Sequence, residues 1–368
     1  MPTTKIGIIG CGNISSAYFK ACKRFVNMQV VACADLDLAR AKAQASEYGI
    51  ARATTVEQFL SDPEIELAVN LTIPKAHAEI DCKILEAGKH VFSEKPLALT
   101  RAEGQNIVAL ARAKNLRVGC APDTVLGAGV QTCRKLIDDG AIGTPVAATA
   151  FMMTGGPEHW HPSPEFVYEA GGGPMFDMGP YYLHALITLL GPVKRVTGSA
   201  RISYPERTIT SKPKFGQKML VAIPTHISSV LDFASGVVCN LVTSFDIKGK
   251  HNAPQLEIYG SEGSLQVPDP NNTGGPVRLI KAGETAWQEI AHTHLYKEGS
   301  RGLGVSDMVQ AIHSGRKHRA NEEIALHALD IMQSIHEASD SGRHVMLTTT
   351  CERPKAMNAA MTEYVLDD

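Results

Sequence analysis

One lysine stands between a short apolar strand and a proline, a position at which a side chain can do chemistry. Residues 90–93 (His-Val-Phe-Ser) predict a buried strand, and Pro96 ends it because proline offers no backbone donor. Lys95 is therefore expected at the carboxyl edge of a sheet, where open α/β sheets bind ligands. An ammonium fixed there could handle a proton during oxidation of an alcohol. Taken alone, these residues are equally compatible with a solvated surface lysine.

A glycine-rich turn predicts a nucleotide site at the same edge. Residues 10–15 read Gly-Cys-Gly-Asn-Ile-Ser, directly between a predicted strand and helix. The first glycine permits a tight turn and the second lets the backbone approach a pyrophosphate at the helix N-terminus. Ser15 replaces the third glycine, so the motif alone is weak. An acid about 20–25 residues later would bind the adenosine ribose, and the sequence supplies one; the expected cofactor-binding residues are Gly10, Gly12, Asn13, Ile14 and Asp35.

The residues around this acid favour NAD over NADP. Asp35 would repel a 2′-phosphate, and Leu36 follows it where an arginine or serine would accept that group. The Arg40 side chain could reach the adenine end of the cofactor. The alternative is that Arg40 is an ordinary solvent-exposed residue of a helix.

Four further residues at this edge are expected to contact the cofactor. Thr72 and Pro74 end the fourth predicted strand, and Glu94 directly precedes Lys95. His77, the fourth residue, comes three positions after Pro74. For His77, an ordinary histidine at a helix start is an equal alternative.

A second set of polar side chains follows three consecutive glycines. Asp177 and Tyr181 are four residues apart where a helix is predicted to begin, so they project from one face, and His184 extends that face. Because aspartate is a common N-cap, Asp177 alone is best explained as a helix cap.

The elements that would position these residues change in kind along the chain. Strands alternate with amphipathic helices up to residue 122, which predicts a doubly wound parallel sheet over residues 1–122. Residues 123–368 contain long alternating runs, and their short spacing predicts a large open sheet whose neighbours pair antiparallel. The expected fold is thus an α/β nucleotide-binding domain followed by an α+β domain. An apolar outer face on that sheet would favour a homodimer or homotetramer.

Composition excludes several classes of function. The chain of 368 residues has a formal net charge of −2, so nucleic acid is an unexpected partner. It has no apolar run near the ~20 residues of a membrane span, and a strand predicted from the first residues leaves no room for a signal peptide. Eight cysteines lack metal-ligand spacing, which predicts reduced thiols in a cytoplasmic protein.

Taken together, these motifs resemble the Gfo/Idh/MocA oxidoreductases, relatives of glucose–fructose oxidoreductase and inositol dehydrogenase. The resemblance rests on the glycine turn, Asp35, the segment from Ala87 to Pro96, and the pattern Gly-Gly-Gly-x-x-x-Asp-x-Gly-x-Tyr at 171–181. It implies an N-terminal Rossmann domain that binds NAD, and a C-terminal domain that binds a sugar or polyol and often mediates oligomers.

The resemblance also implies roles for individual residues. Lys95 and Asp177 correspond to the family's catalytic pair. Tyr181 stands where inositol dehydrogenases have histidine, as it does in glucose–fructose oxidoreductase, xylose dehydrogenase and dihydrodiol dehydrogenase. We hypothesise that Tyr181, assisted by the Lys95 cation, accepts the hydroxyl proton. Lys95 itself and His184 are alternatives.

Substrate contacts are expected from polar loops of the second domain. The candidates are Asp123 at the hinge, the loop of His159 and His161, and the loop at 292–304, with Lys95, Asp177, Tyr181 and His184 beside them. Two histidines without a third ligand do not predict a metal site. Because relatives with this tyrosine often oxidise an aldose at C1, the expected product is a lactone. Oxidation of a secondary hydroxyl of a cyclitol or glycoside, a redox-neutral enzyme with tightly held NAD, and a non-catalytic NAD-sensing regulator are the alternatives.

Overall fold

The N-terminal part of the chain is a six-stranded sheet with helices on both faces. A computed structural model describes residues 3–299 and 301–367. In this sheet all neighbouring strands pair parallel, in the order β3-β2-β1-β4-β5-β6. The strands are β1 (Thr4–Ile9), β2 (Met28–Ala34), β3 (Arg52–Thr54), β4 (Leu67–Asn70), β5 (His90–Ser93) and β6 (Val118–Cys120). The order reverses between β1 and β4, and ligands bind doubly wound sheets at such a switch point.

The helices of this part begin at capping residues that the sequence supplies. The helices are α1 (Ser15–Cys22), α2 (Leu38–Tyr48), α3 (Val56–Ser61), α4 (Pro74–Glu86) and α5 (Arg101–Ala113). Thr55 and Thr100 each form the reciprocal capping box that their sequence predicts. The first helix is shorter than the predicted span of 15–25, because it ends at Cys22 and Phe25 instead packs against Tyr296 and Tyr364.

The C-terminal part is built on a nine-stranded mixed sheet in the order β16-β15-β14-β13-β7-β12-β11-β8-β17. Its strands are β7 (Pro145–Met153), β8 (Val193–Arg201), β11 (His226–Phe233), β12 (Val238–Ser244), β13 (Leu256–Gly260), β14 (Gly263–Val267), β15 (Val277–Lys281), β16 (Gln288–Ile290) and β17 (Val345–Met346); β9 (Glu206–Thr208) and β10 (Lys218–Leu220) form a separate hairpin. The predicted antiparallel pairing fails at one place, since β7 and β12 run parallel. These strands lie far apart in sequence, so no short turn sets their direction.

Four helices complete this part and connect it to the first. They are α6 (Ala128–Asp138), α7 (Gly179–Leu190), α8 (Leu303–Ser314) and α9 (Glu322–Ser341). Helix α9 packs on β8 and α7, and it also contacts α5 and β6 of the N-terminal sheet. The amide of Cys120 donates to the carbonyl of Ala320 at 3.1 Å. One hydrophobic core therefore runs through both sheets and holds the cleft between them in place.

None of the helices among residues 3–299 and 301–367 is long and apolar enough to cross a lipid bilayer.

Candidate active site

Lys95 and Asp177, 82 residues apart in sequence, meet between the two sheets. The ammonium Nζ of Lys95 donates to the Asp177 carboxylate Oδ1 at 2.7 Å and to the Asp177 carbonyl at 2.6 Å. The lysine follows β5 at the carboxyl edge of the N-terminal sheet, as its sequence predicts. Because an ammonium has three donors, these two bonds leave one N–H for another partner.

A turn of π-helix, and not a helix cap, presents the Asp177 carboxylate. Residues Pro174–Met178 form this turn, and α7 begins directly after it. The N-cap residue of α7 is Met178, which makes no side-chain capping bond. Explaining Asp177 as a cap is therefore wrong, and its carboxylate is available to Lys95. Gly173 has a φ of +75°, which favours glycine and turns the chain into this segment.

The Tyr181 phenol is flanked by two cations. The centroid of its ring lies 5.3 Å from Nζ of Lys95 and 5.3 Å from Cζ of Arg301. Its hydroxyl oxygen accepts a hydrogen bond from Nη2 of Arg301 at 3.1 Å, and the same nitrogen lies 3.3 Å from Oδ1 of Asn271. Sequence reasoning considered Arg301 only as part of a possible substrate loop and did not find Asn271. Neither residue has a spacing that would predict these contacts, because Arg301 lies 120 positions after Tyr181 and Asn271 lies 30 positions before Arg301.

Electrostatics assign different protonation states to the polar groups of this site. Burial by itself would lower the pKa of Lys95, but its interactions with Asp177, Tyr181 and Glu94 outweigh burial and raise that pKa. The lysine is therefore held as a cation. Burial raises the pKa of the Tyr181 phenol, while Lys95 and Arg301 act to lower it. The effect of burial is the larger one, so the pKa of Tyr181 stays above its usual value, and the two cations favour its phenolate form.

His184 and Asp123, which the sequence predicts to contact the substrate, are both buried. Burial lowers the pKa of His184 to about 3, so its imidazole is neutral and a poor proton acceptor. Asp123 is fully buried, and its Oδ2 accepts bonds from the amides of Gly302 and Gly304 at 2.8 and 3.0 Å. These bonds fix the backbone directly after Arg301. The geometry of Asp123 is thus that of a group that positions the Arg301 loop.

The glycine turn has the shape that a dinucleotide needs. Gly10 has a φ of +95°, and a Cβ there would lie 2.6 Å from the backbone of Leu71. At Gly12 a Cβ would meet no atom within 4 Å, which leaves the backbone open to a pyrophosphate. Ser15, in place of the third glycine, is buried and its hydroxyl donates to the carbonyl of Gly12 at 2.6 Å. Asn13 and Ile14 directly precede α1 beside this opening and line a cavity of about 510 Å³.

The acid at the end of β2 is fixed beside this turn. Oδ2 of Asp35 accepts from the amide of Cys11 at 2.8 Å, and Oδ1 accepts from the amide of Asp37 at 2.9 Å. Nη1 of Arg40 lies 3.5 Å from Asp35 Oδ1, so this exposed arginine is an ion-pair partner of the acid. Leu36 is 97% exposed, an apolar side chain standing free at the mouth of the predicted adenine site. These residues fit an NAD molecule whose ribose binds Asp35.

The other predicted cofactor residues build the loops around Lys95. Nδ1 of His77 lies 2.7 Å from the carbonyl of Pro96, and its Nε2 lies 2.9 Å from the carbonyl of Thr72. Since His77 is buried, it bridges two loops and does not face the cleft, which supports the structural alternative. Glu94 is also buried, with its carboxylate accepting from the Tyr18 hydroxyl at 2.8 Å and from the Lys95 amide at 3.1 Å. Pro74 is the first residue of α4.

A cavity of about 930 Å³ opens onto Asp177 from the C-terminal part. Its walls come from segments 152–160, 204–210 and 245–249, together with Asp177, Met178 and Asn271. His159 lines this cavity. His161 does not, because its ring packs edge-on against Trp160 and Phe166 and its Nδ1 accepts from the amide of Ser163. Of the loop that sequence analysis singled out, one histidine therefore faces the cavity and the other supports it.

Comparison with known proteins agrees with this geometry. A family described as an oxidoreductase family with an NAD-binding Rossmann fold matches residues 4–121, and the GFO/IDH/MocA C-terminal domain matches residues 130–266. The chain is 28% identical to a 1,5-anhydro-D-fructose reductase of Ensifer adhaerens, over 70% of this chain and 74% of that protein. It is also 28% identical to an inositol 2-dehydrogenase of Ralstonia nicotianae, over 73% of this chain and 75% of that protein.

Solved structures show the same fold. A levoglucosan dehydrogenase in complex with NADH and L-sorbose superposes with a TM-score of 0.81, at 22% identity, over 94% of this chain and 99% of that one. The two matched domains together cover more than half of the chain, and the N-terminal one is a Rossmann domain that binds NAD. The chain therefore belongs to the Gfo/Idh/MocA family of NAD-dependent oxidoreductases, which act on CH–OH groups.

Proposed function

We propose that this enzyme oxidises a sugar with NAD, namely an aldose (a pentose or hexose) that is oxidised at C1 to a lactone. One observation carries the proposal: Lys95, which follows strand β5 of the NAD-binding sheet, contacts both Asp177 and Tyr181, and Asp177 lines the cavity of about 930 Å³. Relatives named for anhydrofructose, inositol and levoglucosan support a sugar or polyol as substrate. The choice of C1 rests on the tyrosine at 181, which the sequence shares with aldose-oxidising relatives.

In this proposal the phenolate of Tyr181, the form that the Lys95 and Arg301 cations favour against the effect of burial, accepts the hydroxyl proton of the sugar and becomes a neutral phenol. Its oxygen already accepts one hydrogen bond from Arg301, and it keeps room to accept another from a substrate hydroxyl. The other two acceptors that sequence analysis left open are less suitable. The groups around Lys95 favour its protonated form, whereas Lys95 and Arg301 favour the deprotonated form of Tyr181, and the lowered pKa of His184 makes its imidazole a weak base.

Lys95 stabilises the negative charge that develops on the sugar oxygen. Asp177 engages two of the lysine donors and so directs the remaining N–H. A fixed cation is effective here because it is preorganised in a largely desolvated site. NAD, held by Gly10, Gly12, Asn13, Ile14 and Asp35, supplies the hydride acceptor when it is bound.

A panel of pentoses, hexoses, inositols and glycosides tests the proposal. NADH formation would be followed by ultraviolet absorbance, and NMR would assign the oxidised carbon of each product. A lactone from an aldose is the expected result. A ketone at a ring carbon would instead support the second candidate, oxidation of a secondary hydroxyl, which the inositol and levoglucosan relatives favour. NAD binding with no turnover of any sugar would contradict both and point to a regulator.

The homodimer or homotetramer expected from the sequence stays a prediction. One face of the large sheet is mixed in character and not uniformly apolar, since Thr149, Glu257 and Tyr259 lie together on it and are joined by hydrogen bonds. Light scattering after size exclusion would measure the subunit number directly.

A further inference from the structure

The cavity beside Asp177 is larger than the reacting ring of one sugar requires. Its volume of about 930 Å³ stands near the top of the ~300–1,000 Å³ range of pockets that bury drug-sized ligands. Every lining residue belongs to the C-terminal domain, so this volume is not the space of the nicotinamide. Of the lining residues, only Asp177, Met178 and Asn271 are assigned to the end of the cavity where the sugar is proposed to react. The other walls of the cavity come from segments 152–160, 204–210 and 245–249, which include strand β9 of the hairpin.

Aromatic side chains line this outer part of the cavity. Trp160 is 65% exposed and Tyr204 is 42% exposed, although both have large apolar rings. The Trp160 indole is held in place, because its ring is packed edge-on by His161 at 5.4 Å. Tyr204 is covered on its face by Lys248, whose Nζ lies 4.8 Å from the ring centroid. A flat, exposed and pre-positioned ring on a cavity wall is suited to stack on the apolar face of a sugar.

The polar groups of the same wall divide into two classes. Arg207 is buried and both of its Nη atoms are engaged, since it pairs with Glu158 at 2.6 Å and with Asp246, and it donates to the carbonyl of Phe245 at 2.9 Å. This cluster fastens the hairpin to the large sheet and is therefore part of the framework. Thr208 and Thr210 are different, because both are exposed on the cavity wall. The Thr210 hydroxyl makes one long bond, of 3.4 Å, to the carbonyl of Glu158, and exposed hydroxyls of this kind can bond to the hydroxyls of a ligand.

We propose that this outer region, formed by Trp160, Tyr204, Thr208, Thr210 and Lys248 and called here the distal subsite, binds the second ring of a reducing disaccharide. The ring with the free C1 would lie at Lys95, Asp177 and Tyr181. The proposal rests on the proposed function and adds the substrate class: a two-ring sugar is a better substrate than the single ring that reacts.

Kinetics with matched sugars test the subsite. Cellobiose, maltose and lactose would be compared with glucose, in the wild type and in Trp160→Ala. We expect a higher kcat/KM for at least one disaccharide. In Trp160→Ala we expect the KM for that disaccharide to rise about tenfold, with little change for glucose. Trp287→Ala is the control, because Trp287 is the other tryptophan of the chain and does not line the cavity.

A binding measurement separates failure of the subsite from failure of the proposed function. In Trp287→Phe, Trp160 is the sole tryptophan, so its fluorescence reports on the distal subsite without turnover. Saturable quenching by a disaccharide but not by glucose, in the presence of NADH, would support the subsite even if no aldose were oxidised. Oxidation of glucose with no preference for any disaccharide and no quenching would overturn the subsite and leave the proposed function intact. An equal effect of Trp160→Ala on one-ring and two-ring sugars would also overturn it.

Discussion

Replacing Tyr181 by phenylalanine removes the proposed proton acceptor and little else. The ring is 5% exposed and phenylalanine fills the same space, so the packing of α7 is preserved. The lost contact is one hydrogen bond from Arg301, which keeps its bond to Asn271 at 3.3 Å. Loss of such a bond costs about 0.5–1.5 kcal/mol of stability. We therefore expect a folded variant whose melting temperature falls only slightly.

The expected effect on catalysis is much larger than this structural cost. A positioned general acid–base group contributes ~10²–10⁴-fold to rate. Tyr181→Phe should therefore lower kcat by ~10²–10⁴, which corresponds to ~2.7–5.4 kcal/mol in the activation barrier. The affinity for NAD should stay close to that of the wild type, because Tyr181 is not among the residues of the glycine turn.

The assay is steady-state and single-turnover formation of NADH, with the melting temperature and NAD affinity measured on the same samples. Tyr182→Phe is the matched control: it makes the same change one residue away in the same helix, at a side chain that is equally buried. A kcat for Tyr181→Phe near that of Tyr182→Phe would refute the assignment of the phenol as proton acceptor. Another group would then have to be the proton acceptor and set the dependence of kcat/KM on pH.

Three further predictions use the other groups of the site. Asp177→Asn removes a charge-assisted bond to Lys95 worth ~1.5–3 kcal/mol, so kcat/KM should fall about 10–100-fold; an unchanged value would show that the pair is structural only. Arg301→Gln removes a cation that acts to lower the pKa of Tyr181, so that pKa rises and the limb of kcat/KM that increases with pH should move to higher pH. No shift in that pH profile would contradict the coupling between Arg301 and the phenol. Asp35→Ser removes the repulsion of a 2′-phosphate, so the ratio of kcat/KM for NAD over NADP should fall; a constant ratio would exclude Asp35 as the ribose-binding acid.

Local patterns in the sequence predicted the positions of single residues well. The glycine turn, Asp35 and the strand before Lys95 all lie where a doubly wound sheet requires them, because β-strand ends and helix starts are set by near neighbours. The capping boxes at Thr55 and Thr100 are reproduced for the same reason. The parallel order of the first sheet also follows from alternation of strands and helices.

Contacts between distant segments could not be predicted in this way. Arg301 reaches the Tyr181 hydroxyl only because α8 returns to the N-terminal sheet and Asp123 fixes the loop at its start. The parallel pairing of β7 with β12 depends on the whole sheet and on no local turn. The buried state of His184 was likewise invisible, since a histidine on the same helical face as Asp177 can point to a cleft or to a core.

Transfer of deuterium tests the central claim most directly, which is that a sugar loses hydride and proton beside Lys95, Asp177 and Tyr181. The enzyme would be given NAD and a uniformly deuterated form of the sugar that the panel identifies, and the cofactor product would be analysed by mass spectrometry. We predict one deuterium on each NADH that the wild type forms. In Lys95→Met we predict that labelled NADH forms at a rate lower by ~10²-fold or more, with unchanged NAD affinity. Unlabelled NADH, or equal label transfer by Lys95→Met, would contradict the account.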